Sequence, residues 1–207
     1  MKLYYMPGAC SLSSHIIARE AGLPFELKKV GRDKKVDDGS DFNQINGKSY
    51  VPTLELDDGN ILTENAAIAE YLADQRPESG LAPKAGTFER YRLGEWLHFI
   101  GTEVHKQFAP FFHKDSPEEW RKIQVEKLTK RFGWIATQLE GKPYLMGETF
   151  SAADAYLYAV LRWTALTPIK LDQWPALKAY FDRVTSRPRV QEALVAEGLV
   201  KSEAKHS

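Results

Sequence analysis

Residues 2–6 (KLYYM) form a short apolar and aromatic run closed by Pro7-Gly8, which predicts a strand and a turn. Leu12, His15, Ile16 and Arg19 then recur at helical spacing until Gly22 and Pro24 break the period, and 25–30 (FELKKV) returns to strand character. A strand, helix and strand over about 30 residues is the size of a parallel crossover unit. Residues 31–50 are polar and charged and read as a loop with at most one short helix near 40–45. Two further strands, 53–57 and 61–63, flank Asp58-Gly59, a strong hairpin signal. Ala66, Ile68, Ala69, Tyr71 and Leu72 restore the helical period before Pro77. This order predicts one mixed four-stranded sheet with helices packed on it.

Beyond a stretch punctuated by Ser79, Gly80, Pro83 and Gly86 the strand signals disappear. Residues 88–112 predict a long aromatic helix that Pro110 kinks or ends. Ser116, Pro117 and Glu119 have the spacing of a capped helix start, and the apolar period runs on through Ile135 until Gly141 and Pro143 stop it. Ser151 and Asp154 stand at capping-box spacing, with Phe150 placed as a hydrophobic staple over Ala155. The residues from there to Leu166 are apolar on nearly every face, Arg162 excepted, as suits the central helix of a second domain. Pro175 and Pro188 open two shorter helices. The expected organisation is an α/β first domain over 1–77, a linker over 78–86, an all-α second domain over 87–200 and a polar tail over 201–207.

Composition narrows the function by exclusion. Among 207 residues, 28 Lys and Arg balance 28 Asp and Glu, so there is no global field for nucleic acid or an anionic membrane surface, and an anion must be recognised locally. Residues 1–7 lack a signal-peptide pattern and no apolar run approaches the ~20 residues of a membrane span, which predicts a cytoplasmic protein. One cysteine rules out an internal disulfide framework, and five scattered histidines without HExxH or an i,i+4 pair give no expectation of a metal.

The chemistry-bearing positions are few. Cys10 follows the first strand and precedes the first helix, where free N–H groups and the helix dipole are expected to lower its pKa. Ser13 takes the place of a resolving cysteine, so the site is a one-thiol C-x-x-S arrangement. Ser11 reads equally as a helix cap or as a hydroxyl offered to a bound sulfur. Val51-Pro52 precedes a strand, where a cis bond would turn the Val51 backbone toward an extended ligand. Glu64 begins a helix whose first-turn N–H groups suit a carboxylate, while its own side chain suits an ammonium. From pattern alone, His105-Lys106 reads first as the solvated face of a helix.

Taken together, KLYYMPGACSLSSHI, VPTLELDDGNILTENAAIAEYLAD, EVHKQFAPFF, FSAADAYLYAVLRW and RPRVQEALVAEGL resemble the bacterial beta-class glutathione transferases across nearly the whole chain. The resemblance implies a thioredoxin-like α/β first domain, an all-α second domain, glutathione as co-substrate, a small apolar electrophile as second substrate, and a homodimer. It implies that Cys10, His105 and Ser11 serve the sulfur, and that Val51 holds the cysteinyl part of glutathione through a cis Pro52. Glu64 and Asn65 would hold the γ-glutamyl end, Lys35 and Lys106 the glycyl carboxylate, and Glu103 would approach the γ-glutamyl ammonium across the dimer. Phe108, Phe111, Phe112, Tyr156 and Trp163 are the apolar residues from which an electrophile pocket would be built.

Three positions depart from the family pattern. Asn46-Gly47-Lys48 replaces an asparagine-proline motif, which is expected to loosen its loop. Asn65 stands where glycine or serine is usual, and His98 stands where asparagine is common near the thiol. The reading is glutathione conjugation with a peroxidase side activity. Two alternatives stand beside it: a Cys10-centred disulfide reductase or reductive dehalogenase, and a noncatalytic binder of glutathione or an apolar ligand.

Overall fold

The computed structural model describes residues 1–201; residues 202–207, most of the expected polar tail, lie outside the described residues. Four short strands, β1 (Lys2–Tyr5), β2 (Glu26–Lys29), β3 (Thr53–Glu55) and β4 (Ile61–Thr63), form one sheet in the order β2-β1-β3-β4. β1 pairs in parallel with β2, setting Leu3 opposite Leu27, and antiparallel with β3, setting Leu3 opposite Leu54. β3 and β4 make the hairpin predicted at Asp58-Gly59, with β3 two residues shorter than its apolar pattern. Side-chain alternation along β1 divides the interior: Leu3 joins the main core, whereas Tyr4 packs with Val30, Val36 and Phe42 in a smaller one.

Helix α1 (Ser11–Glu20) follows β1, and every residue from Ser11 to Ala18 is buried. A simple amphipathic stripe understates this burial, because α1 is covered by the sheet and by α3 (Asn65–Asp74), α6 (Ala152–Leu161) and α8 (Pro188–Ala196). The short helix expected in the polar loop is α2 (Phe42–Ile45), anchored by fully buried Phe42 and capped by Asp41. The predicted central helix is α6, buried at all ten positions. Asp154 accepts from the Ser151 N–H at 2.8 Å, the Ser151 hydroxyl at 2.6 Å and the Leu145 N–H at 2.9 Å. That carboxylate fixes both the start of α6 and the loop before it. One continuous core runs from Leu3 and Ile16 through Leu97 to Leu157 and Leu194, so sheet and helices share an interior.

Two expectations for the helical part need correction. The aromatic stretch is not one helix ending at Pro110: α4 (Phe88–Phe99) passes into a wide π turn at Ile100–Val104 and then tight 3-10 turns at His105–Phe111. The change begins well before Pro110, so the missing proline N–H explains the tight end but not the wide turn. The Ser116 cap is also absent. Pro117 itself is the extended cap residue, and α5 (Glu118–Gln138) starts after it with Glu118 and Glu119 in its first turn, where negative charge complements the helix dipole. Prolines 175 and 188 open α7 (Pro175–Thr185) and α8 as predicted. No helix among the described residues is long and apolar enough to cross a membrane.

Candidate functional site

The β1–α1 loop delivers Cys10 to the end of α1, and the helical part of the chain grips that loop from outside. The Trp163 indole N–H donates to the Gly8 carbonyl at 2.8 Å, and the Gly8 N–H donates to Glu197 at 2.9 Å. Glu197 is itself 2.9 Å from Nδ1 of fully buried His15. Because Arg19 donates to the other ring nitrogen at 2.7 Å, His15 donates from Nδ1 to this carboxylate. Sequence reasoning missed Glu197, which follows the last helix as its C-cap and has no local signal that sets it apart from Glu192 within that helix.

Cys10, Val51, Pro52, Glu64 and Asn65 from the first part of the chain face His98, His105, Lys106 and Tyr156 from the second across a cavity of about 620 Å³. A larger, more open depression of about 1130 Å³ adjoins it at Phe112 and His113 and is walled by Phe111, Arg32 and the start of α5. It contains none of the reactive groups, so chemistry belongs to the smaller cavity. Of the apolar residues proposed for it, Phe112 and Tyr156 line this cavity, whereas Phe108 and Trp163 are buried behind.

The thiol of Cys10 does not have the lowered pKa expected at a helix start. Burial pushes it up to about 12, against the N–H groups of Cys10 and Ser11 and the charge of Lys106, while Glu64 adds to the rise. The residue keeps some accessible surface, but protein surrounds the sulfur, and desolvation outweighs the dipole. The thiol donates to the Val51 carbonyl at 3.3 Å. The Val51–Pro52 bond is cis.

His105 projects from the start of the 3-10 segment. Its Nδ1 lies 2.7 Å from the Tyr156 hydroxyl, and its ring stands edge-on to Trp163 at 4.8 Å. Burial, then the Lys106 charge, hold its pKa down to about 4, so the ring is neutral at pH 7. Burial raises the Tyr156 phenol far above its usual range, which keeps it protonated. Gly101, in the π turn, lies beside this phenol; a Cβ there would meet its hydroxyl at 3.5 Å, an ordinary van der Waals contact.

At the other end, Glu64 has φ 73 and ψ 123, a left-handed conformation uncommon outside glycine. Its carboxylate meets Lys48 at 2.8 Å, and Lys48 also donates to Thr63 at 3.0 Å. Lys48 lines the cavity and carried no signal beyond its place in the departing Asn-Gly-Lys loop. That loop is not left loose: Asn46 donates to the Tyr50 carbonyl and the Thr53 hydroxyl, both at 2.9 Å, and accepts from the Lys48 N–H at 3.0 Å. His98 is on the cavity wall, donating from Nδ1 to the Gly94 carbonyl at 2.7 Å.

Three expected site residues lie elsewhere. Ser11 is fully buried, its hydroxyl bonded to the Met6 N–H at 3.2 Å and the Met6 carbonyl at 3.3 Å, so it braces the loop and does not face the cavity. Lys35 is exposed on the β2–α2 loop, bridged through its backbone to Asp41, and does not line the cavity. Glu103 also lies outside the cavity and pairs with Arg131 of its own chain. Among the described residues no group of three or more His, Cys, Asp or Glu side chains is placed to hold a metal.

Comparison with known proteins gives a consistent picture. The model of the glutathione S-transferase N-terminal domain matches residues 8–75, and that of the glutathione S-transferase C-terminal domain matches residues 99–188. The glutathione S-transferase GstA of Escherichia coli O157:H7 is 44% identical over 200 residues, covering 96% of this chain and 100% of its own. A sphingomonad glutathione S-transferase solved with glutathione superposes with a TM-score of 0.93 at 44% identity, over 97% of this chain and 100% of that one. A bacterial beta-class glutathione S-transferase of Sphingomonas chungbukensis gives 0.93 at 45% identity with the same coverage.

Proposed function

The chain belongs to the glutathione S-transferase family, in its bacterial beta class, and we propose that it joins the glutathione thiol to small apolar electrophiles in the cavity between Cys10 and His105. It is an enzyme of glutathione transfer. One observation carries the placement of the reaction: a neutral imidazole, an exposed lysine and the end of α1 converge on one cavity from two separate parts of the chain.

Glutathione is a net anion with an ammonium at one end. The Val51 backbone holds its cysteinyl part, Glu64 and the first turn of α3 take the γ-glutamyl end, and Lys106 faces the glycyl carboxylate. Lys48, already on Glu64, adds a second cation at that rim. Fixing both ends places the sulfur beside His105. The S–H proton passes to the imidazole, the thiolate attacks an electrophilic carbon, and the leaving group departs with its bonding electrons. The imidazolium then returns its proton to solvent. Cys10, protonated and bonded to Val51, is a neighbour of the sulfur and not its nucleophilic rival.

The homodimer belongs to the same reading. Phe88 and Tyr91 on α4 are 66% and 69% exposed and Trp134 on α5 is 46% exposed, an aromatic surface suited to a second copy. Glu103 reaches the partner's ligand only by leaving Arg131. Steady-state assays with aryl halides and epoxides test the activity: glutathione-dependent turnover is expected, and binding of glutathione without turnover of any electrophile would contradict it.

A further inference from the structure

The open depression beside the cavity has an apolar side made by Phe111, Phe112, Val125, Leu166 and Pro168. Phe112 and Leu166 are 46% and 54% exposed, and the Phe112 ring is braced edge-on against buried Trp163 at 4.9 Å. Large apolar side chains left bare next to a reaction cavity suit the body of a second substrate. Phe112 and His113 line both spaces, so a molecule whose reactive carbon lies in the smaller one extends past them into the larger.

The charges around this larger space do not cancel in pairs. Lys122 pairs with Glu118 at 3.0 Å. The Arg121 guanidinium donates to the carbonyls of Pro110, His113 and Lys114 at 2.8 to 3.3 Å, which pins the loop and leaves its positive charge uncancelled. Asp115 and Glu118 flank the first turn of α5, whose free N–H groups offset negative charge, and Glu126 lies about two turns further along that helix. Arg32 and Lys114 have no carboxylate partner among the described residues. Four cationic side chains against three carboxylates leave this wall locally positive in a protein of zero net charge.

Arg32 is set apart by its origin, as the one wall residue that precedes Phe111 in the chain. A tight turn holds it: the Gly31 N–H donates to the Lys35 carbonyl at 2.7 Å and the Lys34 N–H to the Gly31 carbonyl at 3.1 Å. Its neighbour Asp33 accepts from the Lys35 N–H at 3.2 Å and makes no ion pair with the guanidinium. We propose that Arg32, assisted by Lys114, selects electrophiles that carry a carboxylate on an apolar body. The body lies on Phe112 and Leu166, the guanidinium takes the carboxylate through paired N–H groups, and the reactive carbon points back to the sulfur beside His105. This narrows the second substrate from small apolar electrophiles to amphipathic acids, and it rests on the proposed glutathione site for the position of the sulfur.

The test compares 4-(chloromethyl)phenylacetate with its neutral amide, two benzylic chlorides whose differing group is insulated from the reacting carbon. In both, the thiolate sulfur bonds to the benzylic carbon and chloride leaves with the bonding electrons. The quantity read is the acid-to-amide ratio of kcat/KM. Arg32→Gln is expected to lower that ratio by roughly fivefold, Arg32→Lys to restore most of it, and high salt to shrink the wild-type preference. A ratio that moves less than about twofold in Arg32→Gln overturns the proposal, as does a loss of glutathione affinity with the ratio unchanged, which would assign Arg32 to the tripeptide. Dissociation constants of unreactive 4-methylphenylacetate and its amide, from titration calorimetry, give the same ratio without chemistry. A protein that turns over neither chloride would fault the functional reading, while the binding ratio still decides the role of Arg32.

Discussion

The Cys10 thiol donates to the Val51 carbonyl across 3.3 Å, tying the reactive-looking sulfur to the backbone expected to hold the substrate's own cysteine. With its pKa pushed up to about 12 by burial, the thiol stays protonated throughout the neutral range. Alkylation of the ligand-free protein by iodoacetamide at pH 8 is therefore expected to be at least about tenfold slower than that of free cysteine, whose pKa is about 8.5. The rate should still be climbing at pH 9. A plateau below pH 8 would mean that the helix dipole wins after all.

Lysine placement separates cavity cations from surface ones. Lys106 lines the cavity and Lys35 does not. Lys106→Met is expected to raise the glutathione dissociation constant by roughly tenfold, since a charge-assisted bond is commonly worth ~1.5 to 3 kcal/mol. Lys35→Met should raise it less. Titration calorimetry checks the order, and a larger effect at Lys35 would show that its loop closes over the ligand.

Glu64 holds a left-handed backbone with a non-glycine side chain, a conformation that costs of order 1 kcal/mol or more. Glu64→Gly is expected to leave stability unchanged or raise it by up to about 1 kcal/mol in urea denaturation, while glutathione binding weakens. Lower stability than the wild type would remove the strain from this account.

Asp154 is buried and accepts three hydrogen bonds at the start of the central helix. Asp154→Ala removes the cap and strands the buried Leu145 N–H, for an expected loss of about 2 to 4 kcal/mol. Equilibrium unfolding measures it, and a change under about 1 kcal/mol would contradict the role given to this carboxylate.

Much of this was legible from residues alone, because the signals were local. Gly59 in the hairpin turn, the Ser151–Asp154 spacing and the prolines opening α7 and α8 each describe a few adjacent residues whose backbone needs are met nearby. The cavity was legible only where family likeness supplied long-range pairing, as for Cys10, Val51 and His105. Ser11 and Lys35 went astray because a side chain's direction depends on tertiary packing: Ser11 turns inward to Met6, and Lys35 sits on the solvent side of its bridge. The fall in His105's pKa and the rise in that of Cys10 are likewise products of burial, which no short window of sequence encodes.

The central claim is that neutral His105 takes the proton from glutathione in this cavity. Ultraviolet titration of the thiolate of bound glutathione, run beside steady-state kinetics for the wild type and His105→Ala, tests it most directly. The wild type is expected to hold the bound thiol below its pKa in free glutathione. His105→Ala should move that pKa up and lower kcat by about 10²-fold or more, with a much smaller change in glutathione affinity. Cys10→Ala should retain conjugation. An unchanged thiol pKa and kcat in His105→Ala, with Cys10→Ala inert toward every electrophile, would contradict the account and mark a cysteine-centred redox enzyme instead.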